Sequence, residues 1–138
     1  IYCGMMEEEI RQKVRVVKET KYFLVLCPFA SRSPFETRIY PKIHRSSFAT
    51  VSDQELEDFA FVLQDTLKRL YIGLNDPDYN YNIHSTPIKD KDVKYYHWYI
   101  VIVPKLTTPA GFEIGTGIYI NTTPPEQCAE FLRGVRIG

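Results

Sequence analysis

The clearest pattern of apolar and polar positions lies between Ser52 and Leu74, where apolar residues recur every three or four positions. That spacing predicts an amphipathic helix that packs on a sheet, and Ser52 with Glu55 three residues later is the capping-box pattern for its start. We interpret the apolar stripe of this helix as ordinary core. The stripe comprises Leu56, Phe59, Ala60, Leu63, Leu67, Leu70, Tyr71 and Leu74.

Short β-rich segments on both sides of this helix predict the strands of the sheet. The segment 100–103 has four β-branched residues in a row and ends at Pro104, which predicts a strand buried on both faces. The segment 35–40 alternates apolar and polar residues, which is typical of a half-buried antiparallel strand. The other predicted strands are 14–17, 22–27, 80–84 and 118–120.

Two further helices complete the predicted architecture. A short acidic helix is predicted over 5–12. The last helix is predicted to start with Thr123 as its N-cap, Pro124 at the first helical position and Glu126 in a capping box. Short strands, tight turns and these helices predict an α+β fold with an antiparallel sheet. Residues 1–138 have the length of a single domain.

Charge and cysteine content exclude some classes of function. The 17 basic and 17 acidic residues cancel, so bulk electrostatics does not favour nucleic-acid binding. No apolar run approaches the roughly 20 residues of a membrane span, and no signal peptide is evident, so we expect no membrane partner. Three cysteines are a sparse, odd set for a disulfide framework, which favours a reducing, cytoplasmic location.

The segment 95–121 holds the densest candidate chemistry. Its buried strand is followed by Gly111, Gly115 and Gly117 around Glu113, and glycines let a backbone approach a ligand closely or turn with positive φ. The strand, the glycine loop with its carboxylate and the returning strand 118–120 together predict a ligand-binding edge. The alternative interpretation is a glycine-rich β-turn with a surface glutamate.

Three blocks of the sequence resemble a known family. They are PFASRSPFETRIYPKIHRSSF (28–48), YNIHSTP (81–87) and HWYIVIVPKLTTPAGFEIGTGIYINTTPPEQCAEFLR (97–133). These blocks are similar to the C-terminal half of the galactose-1-phosphate uridylyltransferase family, which belongs to the histidine-triad superfamily of nucleotidyltransferases. The resemblance covers nearly the whole chain. It implies a histidine-triad-like fold, with an antiparallel sheet, one long helix laid across it and a C-terminal helix.

The resemblance also indicates what this chain lacks. The family transfers a nucleoside monophosphate onto a sugar phosphate through a covalent histidine intermediate, and its catalytic His-Pro-His motif lies in the N-terminal half. No His-Pro-His occurs here, and the block that begins at His97 has Tyr99 and Val101 where histidine-triad enzymes have further histidines. An ordinary tyrosine and a valine cannot replace an imidazole nucleophile near neutral pH. We therefore predict the C-terminal half of a two-domain nucleotidyltransferase, with no catalytic residue and no activity alone.

A structural zinc site is implied at Cys3, His44 and His97, which match ligand positions in several family members. Thiolate and imidazole donors suit tetrahedral zinc. In the family pattern the cysteine belongs to a C-x-x-C pair, whose first cysteine would fall just before Ile1. The alternative is an ordinary terminal thiol, a strand-end histidine and a histidine hydrogen-bonded beside the sheet.

A second metal site of the family corresponds to His84. The other ligands of that site would fall at Tyr99 and Val101, which have lost the donor groups. We therefore predict that His84 is a polar histidine, satisfied at a strand end, rather than a metal ligand.

The glycine loop is implied to contact the substrate. In the family, the segment equivalent to 110–113 reaches across a homodimer interface to the sugar of the nucleotide sugar, which implies substrate-binding roles for Gly111, Phe112 and Glu113. Asn121 matches a polar partner beyond the loop. A carboxylate suits sugar hydroxyls because it accepts two donors at fixed geometry. We expect Glu113 to matter for ligand contact and little for folding.

The sequence leaves three functions open. The first is the C-terminal half of a hexose-1-phosphate uridylyltransferase-like enzyme, with a nucleotide sugar or sugar phosphate as partner of the full-length protein. The second is the same half of an adenylyltransferase or phosphorylase that acts on ADP-glucose or dinucleoside polyphosphates, since the base pocket lies mainly in the other half. The third is a non-enzymatic, metal-stabilised binding domain. A preceding domain with His-Pro-His would separate the first two from the third.

Overall fold

The computed structural model describes all 138 residues and contains one antiparallel sheet of five strands. The strands are β1 (Val16–Glu19), β2 (Phe23–Leu26), β3 (Thr37–Pro41), β4 (Tyr79–His84) and β5 (Tyr99–Pro104), in the spatial order β1-β2-β3-β5-β4. The helices are α1 (Tyr2–Gln12), α2 (Asp53–Gly73), α3 (Gly111–Thr116) and α4 (Pro125–Gly134), with 3₁₀ turns at Phe48–Thr50 and Ile88–Asp90. The predicted α+β class is confirmed.

The long helix α2 begins as its sequence predicts. The Ser52 hydroxyl accepts a hydrogen bond from the Glu55 N–H at 3.4 Å, and the Glu55 carboxylate accepts one from the Ser52 N–H at 2.9 Å. This reciprocal pair satisfies two of the backbone donors that surround a helix start. The helix ends at Gly73, one residue before the predicted end.

The buried stripe of α2 differs from the predicted one. Leu56 is 47% exposed, Tyr71 is 58% exposed and Ala60 is also exposed, so none of the three faces the core. At about 3.6 residues per turn, all three lie to one side of the line through the core residues. A polar residue, Thr66, takes a core position because its hydroxyl donates to the Val62 carbonyl at 2.8 Å. The residues of α2 that are buried are Glu55, Phe59, Val62, Thr66 and Leu70.

The two faces of the sheet are covered unequally. Helices α2 and α4 cover one face, where Trp98 packs edge-on against Phe23, Phe48 and Phe59 in a core of 14 buried residues. On the other face, α1 packs over β1 and β2 through a smaller cluster that includes Met6. Strand β4 at the edge of the sheet is exposed along all six residues.

The strand predicted over 118–120 is wrong. The glycine-rich segment forms α3, and Gly117 ends this helix with φ of 70°, in the left-handed region. Residues 118–120 continue as exposed, irregular chain. The Ile120 N–H donates to the Glu113 carboxylate at 3.0 Å, so a side chain of the same loop satisfies a donor that a neighbouring strand would otherwise take.

Strand β3 begins two residues later than predicted. Phe35 has φ of 61°, which is left-handed rather than extended, so the strand starts only at Thr37. The Phe35 ring packs edge-on against Phe131 of α4, with ring centres 5.5 Å apart. Phe35 therefore packs against a helix that is distant in sequence, and it has a left-handed conformation that the alternating pattern did not predict.

The predicted start of α4 is also wrong. The helix begins at Pro125, and no side chain caps it. Glu126 does not form a capping box, because its carboxylate accepts a hydrogen bond from Arg15 at 2.8 Å. Thr123 is not the N-cap, and its N–H donates to the Asn121 side chain at 3.1 Å. A long-range ion pair and a local side-chain contact thus replace the predicted cap.

None of the helices combines the length and the apolar character that a membrane crossing requires. The three cysteines, Cys3, Cys27 and Cys128, are all free thiols. Burial raises the pKa of the Cys27 thiol to about 12, so this thiol stays protonated and unreactive in the core.

The capping box of α2 makes a direct stability prediction. Ser52→Ala should lower the free energy of unfolding by about 1 kcal/mol, because the helix start loses its side-chain acceptor. Thr123→Ala is the matched control, and it should cost no more than about 0.5 kcal/mol because Thr123 caps no helix. Urea denaturation followed by circular dichroism measures both values. Equal losses for the two variants would contradict the assignment of the caps.

Candidate functional site

Three side chains from distant parts of the chain converge beside one end of the sheet. The Cys3 Sγ atom lies 3.2 Å from His44 Nδ1 and 3.7 Å from His97 Nδ1, and the two Nδ1 atoms are 3.3 Å apart. These residues are separated by 41, 53 and 94 positions in the sequence, so only the fold brings them together. They are the three predicted metal ligands, and they form a candidate metal site.

Each of these side chains comes from the end of a secondary-structure element. Cys3 lies in the first turn of α1, His44 follows β3, and His97 precedes β5. Because β3 and β5 are antiparallel neighbours, the end of β3 lies beside the start of β5. The Trp98 N–H also donates to the Arg45 carbonyl at 2.9 Å, which joins the two histidine segments directly.

The buried imidazole of His97 is oriented by the backbone. His97 is 1% exposed, and its Nε2 donates to the Pro41 carbonyl at 2.8 Å. A carbonyl only accepts, so this bond assigns the proton to Nε2 and leaves the Nδ1 lone pair for Cys3 and His44. Burial lowers the pKa of His97, which favours the neutral, metal-binding form at neutral pH. The sequence analysis missed Pro41, because a backbone carbonyl has no signal of its own in a sequence.

The donor atoms have the spacing of a tetrahedral zinc site. Zinc–nitrogen bonds of about 2.05 Å and a zinc–sulfur bond of about 2.3 Å place two nitrogens about 3.3 Å apart and nitrogen and sulfur about 3.6 Å apart. The observed separations are 3.3 Å between the two nitrogens and 3.2 and 3.7 Å between sulfur and nitrogen. The three side chains therefore fit zinc, and they leave a fourth tetrahedral position for another donor.

Three of the four predicted substrate-binding residues form the first turn of α3. They are Gly111, Phe112 and Glu113, and the Phe112 side chain is 56% exposed. The Glu113 carboxylate accepts hydrogen bonds from the Ala110 N–H at 3.2 Å and the Ile120 N–H at 3.0 Å. The bond from Ile120, and then the bond from Ala110, lowers the pKa of the Glu113 carboxyl. Glu113 thus holds the shape of its own loop, a role that the sequence analysis missed.

The fourth predicted residue, Asn121, anchors the far end of the same loop. Its amide Nδ2 donates to the Ser31 carbonyl at 3.3 Å, and its Oδ1 accepts from the Thr123 N–H at 3.1 Å. The amide is therefore engaged at both ends within the chain. A contact from Asn121 to substrate stays a prediction.

His84 at the end of β4 was predicted to be a satisfied polar histidine, but its ring makes no hydrogen bond in the structure. Its ring stacks on Tyr99, with ring centres 4.7 Å apart and planes 8° from parallel. In the sheet His84 pairs with Tyr99, and Asn82 pairs with Val101. The positions that would complete a metal site beside His84 thus hold a phenol and an aliphatic side chain, as expected from the sequence.

The five-stranded antiparallel sheet with one long helix across it is a histidine-triad-like fold. A zinc-bound histidine-triad family protein from Mycobacterium smegmatis superposes with a TM-score of 0.63 at 18% identity, over 96% of this chain and 88% of that chain. At this identity the similarity concerns the fold alone. The chain belongs to the galactose-1-phosphate uridylyltransferase family, because residues 2–133 match the family model described as "Galactose-1-phosphate uridyl transferase, C-terminal domain".

Individual relatives include enzymes that differ in nucleotide. The chain is 41% identical to ADP-glucose phosphorylase of Arabidopsis thaliana over 94% of its own length and 37% of that enzyme. It is 34% identical to galactose-1-phosphate uridylyltransferase of Thermotoga maritima over 98% of its length and 44% of that enzyme. The crystal structure of the Arabidopsis enzyme with bound ADP-glucose superposes with a TM-score of 0.86 over 94% of this chain and 42% of that chain. The chain thus spans less than half the length of these relatives.

Proposed function

We propose that residues 1–138 act as the C-terminal half of a two-domain nucleotidyltransferase whose substrates are a nucleotide sugar and a sugar phosphate. The match of residues 2–133 to the C-terminal domain of the family carries this proposal. The extent of the relatives supports it too, since each has more than half its length outside the matched region. In this role the chain supplies scaffold and substrate contacts, and another domain supplies the chemistry.

The histidines of the chain support the absence of a nucleophile. A phosphate-attacking imidazole needs a free ring nitrogen directed at the substrate. His44 and His97 direct their Nδ1 atoms at each other and at Cys3, and His97 Nε2 is bound to the Pro41 carbonyl. His84 stacks on Tyr99 and belongs to no His-Pro-His motif. A nucleophilic histidine would have to come from a domain with the His-Pro-His motif.

A structural zinc ion is the cofactor that the cluster suits. Cys3, His44 and His97 would be its ligands, and the Nε2 bond of His97 to the Pro41 carbonyl would orient the imidazole. Zinc bound there would tie the start of α1 to the ends of two central strands. Its part is structural, because no substrate-contacting residue of the proposal belongs to the cluster.

The loop of α3 is the proposed substrate contact, and it would act across a homodimer interface. Its large apolar side chains face solvent in the isolated chain, which is typical of a surface that another protein covers. The exposed apolar residues are Leu106, Phe112, Ile114, Ile118, Tyr119 and Ile120. The Glu113 carboxylate has two oxygens with about four acceptor sites, so its two bonds to the loop leave capacity for sugar hydroxyls.

A second candidate for the nucleotide is favoured by the comparisons. Identity to the ADP-glucose phosphorylase is 41%, against 34% to the Thermotoga uridylyltransferase over a similar share of the chain. An adenylyl rather than a uridylyl substrate for the two-domain protein follows as the alternative.

The proposal predicts that this chain forms no covalent nucleotidyl adduct. The 138-residue chain is incubated with UDP-glucose or ADP-glucose labelled in the phosphate next to the nucleoside, alone and with the N-terminal half of a relative that has His-Pro-His. Label should appear only on the N-terminal half, since the nucleophile lies there. A histidine-linked label on this chain would overturn the proposal. Saturable sugar-nucleotide binding with no transfer in any combination would favour a binding domain instead.

The sugar contact of Glu113 has its own test in the two-domain protein. Glu113→Ala should weaken binding of the nucleotide sugar roughly tenfold, because it removes a charged acceptor for hydroxyl groups. The melting temperature should hardly change, since the two hydrogen bonds that Glu113 makes to its loop are exposed to solvent. Glu130→Ala on the exposed side of α4 makes the same charge change and should leave binding unaltered. A lower melting temperature with unchanged binding would show that Glu113 only shapes its loop.

A further inference from the structure

A second candidate binding site lies on the same face of the sheet as α1, in the part that α1 does not cover. Strands β3, β5 and β4 form its floor, and the segment that follows β5 forms its rim. The cleft has a volume of about 540 Å³, within the range of sites that hold small ligands. It contains none of the metal-site residues.

The cleft has an excess of available positive charge. Its cationic residues are Arg32, Arg38 and Lys105, and its carboxylates are Glu36 and Glu113. Three cations against two carboxylates leave a net charge of one positive, and only Glu36 is paired with a cation. Glu36 accepts from Arg38 Nη2 at 2.7 Å and from the Arg32 N–H at 2.8 Å, and Glu113 accepts from two N–H groups of its own loop. Of the three cations, Arg38 alone is neutralised by a carboxylate.

The two other cations have no anionic partner in the chain. The Lys105 side chain makes no hydrogen bond or ion pair, and the Arg32 guanidinium lies 5.4 Å from the centre of the Tyr119 ring. Stacking on an aromatic ring orients a guanidinium and leaves its N–H groups available. The cleft therefore has two free cationic groups, one of them held in position.

One residue that lines the cleft has an unsatisfied hydroxyl. The Ser33 Oγ atom is buried and has no hydrogen-bond partner, and Ser33 is one of the residues that line the cleft. A buried polar group without a partner costs stability, and such groups are uncommon in folded proteins. Rotation of the Ser33 side chain toward the cleft would let a ligand oxygen supply the missing partner.

The part of the cleft floor that β4 forms is polar and has no Lys, Arg, Asp or Glu. Asn80, Asn82 and His84 alternate along the strand, so their side chains share the face that borders the cleft. Amide groups both donate and accept, which suits hydroxyl groups or the edge of a planar ring. The cleft thus combines an anion-binding side with a side suited to a neutral polar group.

We infer that this cleft binds a phosphate-bearing ligand the size of a hexose phosphate or a mononucleotide. The phosphate contacts Arg32, Lys105 and the Ser33 hydroxyl, and the remainder of the ligand faces the asparagines of β4. The α3 loop contributes Glu113, Tyr119 and Ile120 to the cleft, but every lining residue belongs to this one chain. The inference goes beyond the proposed function, because it assigns a ligand to this chain alone and not to a contact across a homodimer interface.

Calorimetric titration of the 138-residue chain tests this inference with three probes: inorganic pyrophosphate, glucose 1-phosphate and AMP. At least one probe should bind saturably with one site per chain. Similar affinity for all three would indicate that the phosphate alone is recognised. Tighter binding of glucose 1-phosphate or of AMP would identify a sugar or a planar base as the second group. No saturable binding of any probe would overturn the inference.

Variants separate the cleft from general electrostatic attraction. Arg32→Ala and Lys105→Ala should each weaken binding at least about tenfold, because each removes a charged phosphate contact. Arg136→Ala and Lys89→Ala remove equal charges from exposed positions outside the cleft and should retain affinity. Arg32→Lys keeps the charge and serves if Arg32→Ala lowers the melting temperature. Equal losses in the cleft variants and the controls would overturn the inference.

Ser33→Ala gives an independent readout. Because the hydroxyl has no partner in the chain, its removal should leave the melting temperature unchanged or slightly raised. The same variant should weaken binding of the phosphate probe by a factor of a few. A lower melting temperature with unaltered binding would show that the hydroxyl has a structural partner and faces no ligand.

Discussion

The antiparallel pairing of β3 with β5 joins two segments that are far apart in the sequence, and both candidate sites follow from it. Thr37 pairs with Ile102, and Ile39 pairs with Ile100. At one end of this pair, His97 meets His44 and bonds to the Pro41 carbonyl. Along the same two strands, the part of the α1 face that α1 leaves uncovered forms the floor of the cleft. The register of β3 against β5 therefore determines the positions of both the metal cluster and the cleft.

The metal cluster and the loop of α3 differ in whether they need another molecule to be complete. The metal cluster is assembled within this chain, from donors that already have the separations of a tetrahedral site. The loop of α3 is different, because its apolar side chains are exposed and Glu113 is committed to its own backbone. A stable scaffold with an uncovered contact surface is consistent with a domain that completes a site on another domain or subunit. This contrast supports the proposal that the chain supplies scaffold and substrate contacts while another domain supplies the nucleophile.

Local sequence patterns predicted the elements whose determinants are local. The capping box of Ser52 and Glu55 predicted the start of α2, and the β-branched run predicted β5. Predictions failed where another side chain takes the same atoms. Glu126 pairs with the distant Arg15 instead of capping α4, and the Ile120 N–H bonds to the Glu113 carboxylate of its own loop instead of joining the sheet. Periodicity does not reveal either contact, because it records only the order of apolar and polar residues.

The candidate sites show the same limit. Separations of 41 and 53 positions give no local metal-binding pattern, so the ligand set was implied by family resemblance and only then supported by geometry. The cleft was predicted only in part: the ligand-binding edge expected from β5 and the glycine loop lines it, but Arg32 and Ser33 reach the same cleft only because β3 pairs with β5. The stacking of His84 on Tyr99 likewise follows from the pairing of β4 with β5.

X-ray absorption at the zinc edge tests most directly whether Cys3, His44 and His97 form a metal centre. The purified chain is freed of metal with a chelator, loaded with one equivalent of zinc and compared with Cys3→Ser. The account predicts one sulfur at about 2.3 Å and two imidazole nitrogens at about 2.0–2.1 Å, with the sulfur lost in Cys3→Ser. Two results would contradict the proposed metal centre. One is a chain that does not retain zinc, and the other is a spectrum that shows no sulfur ligand and is the same for Cys3→Ser.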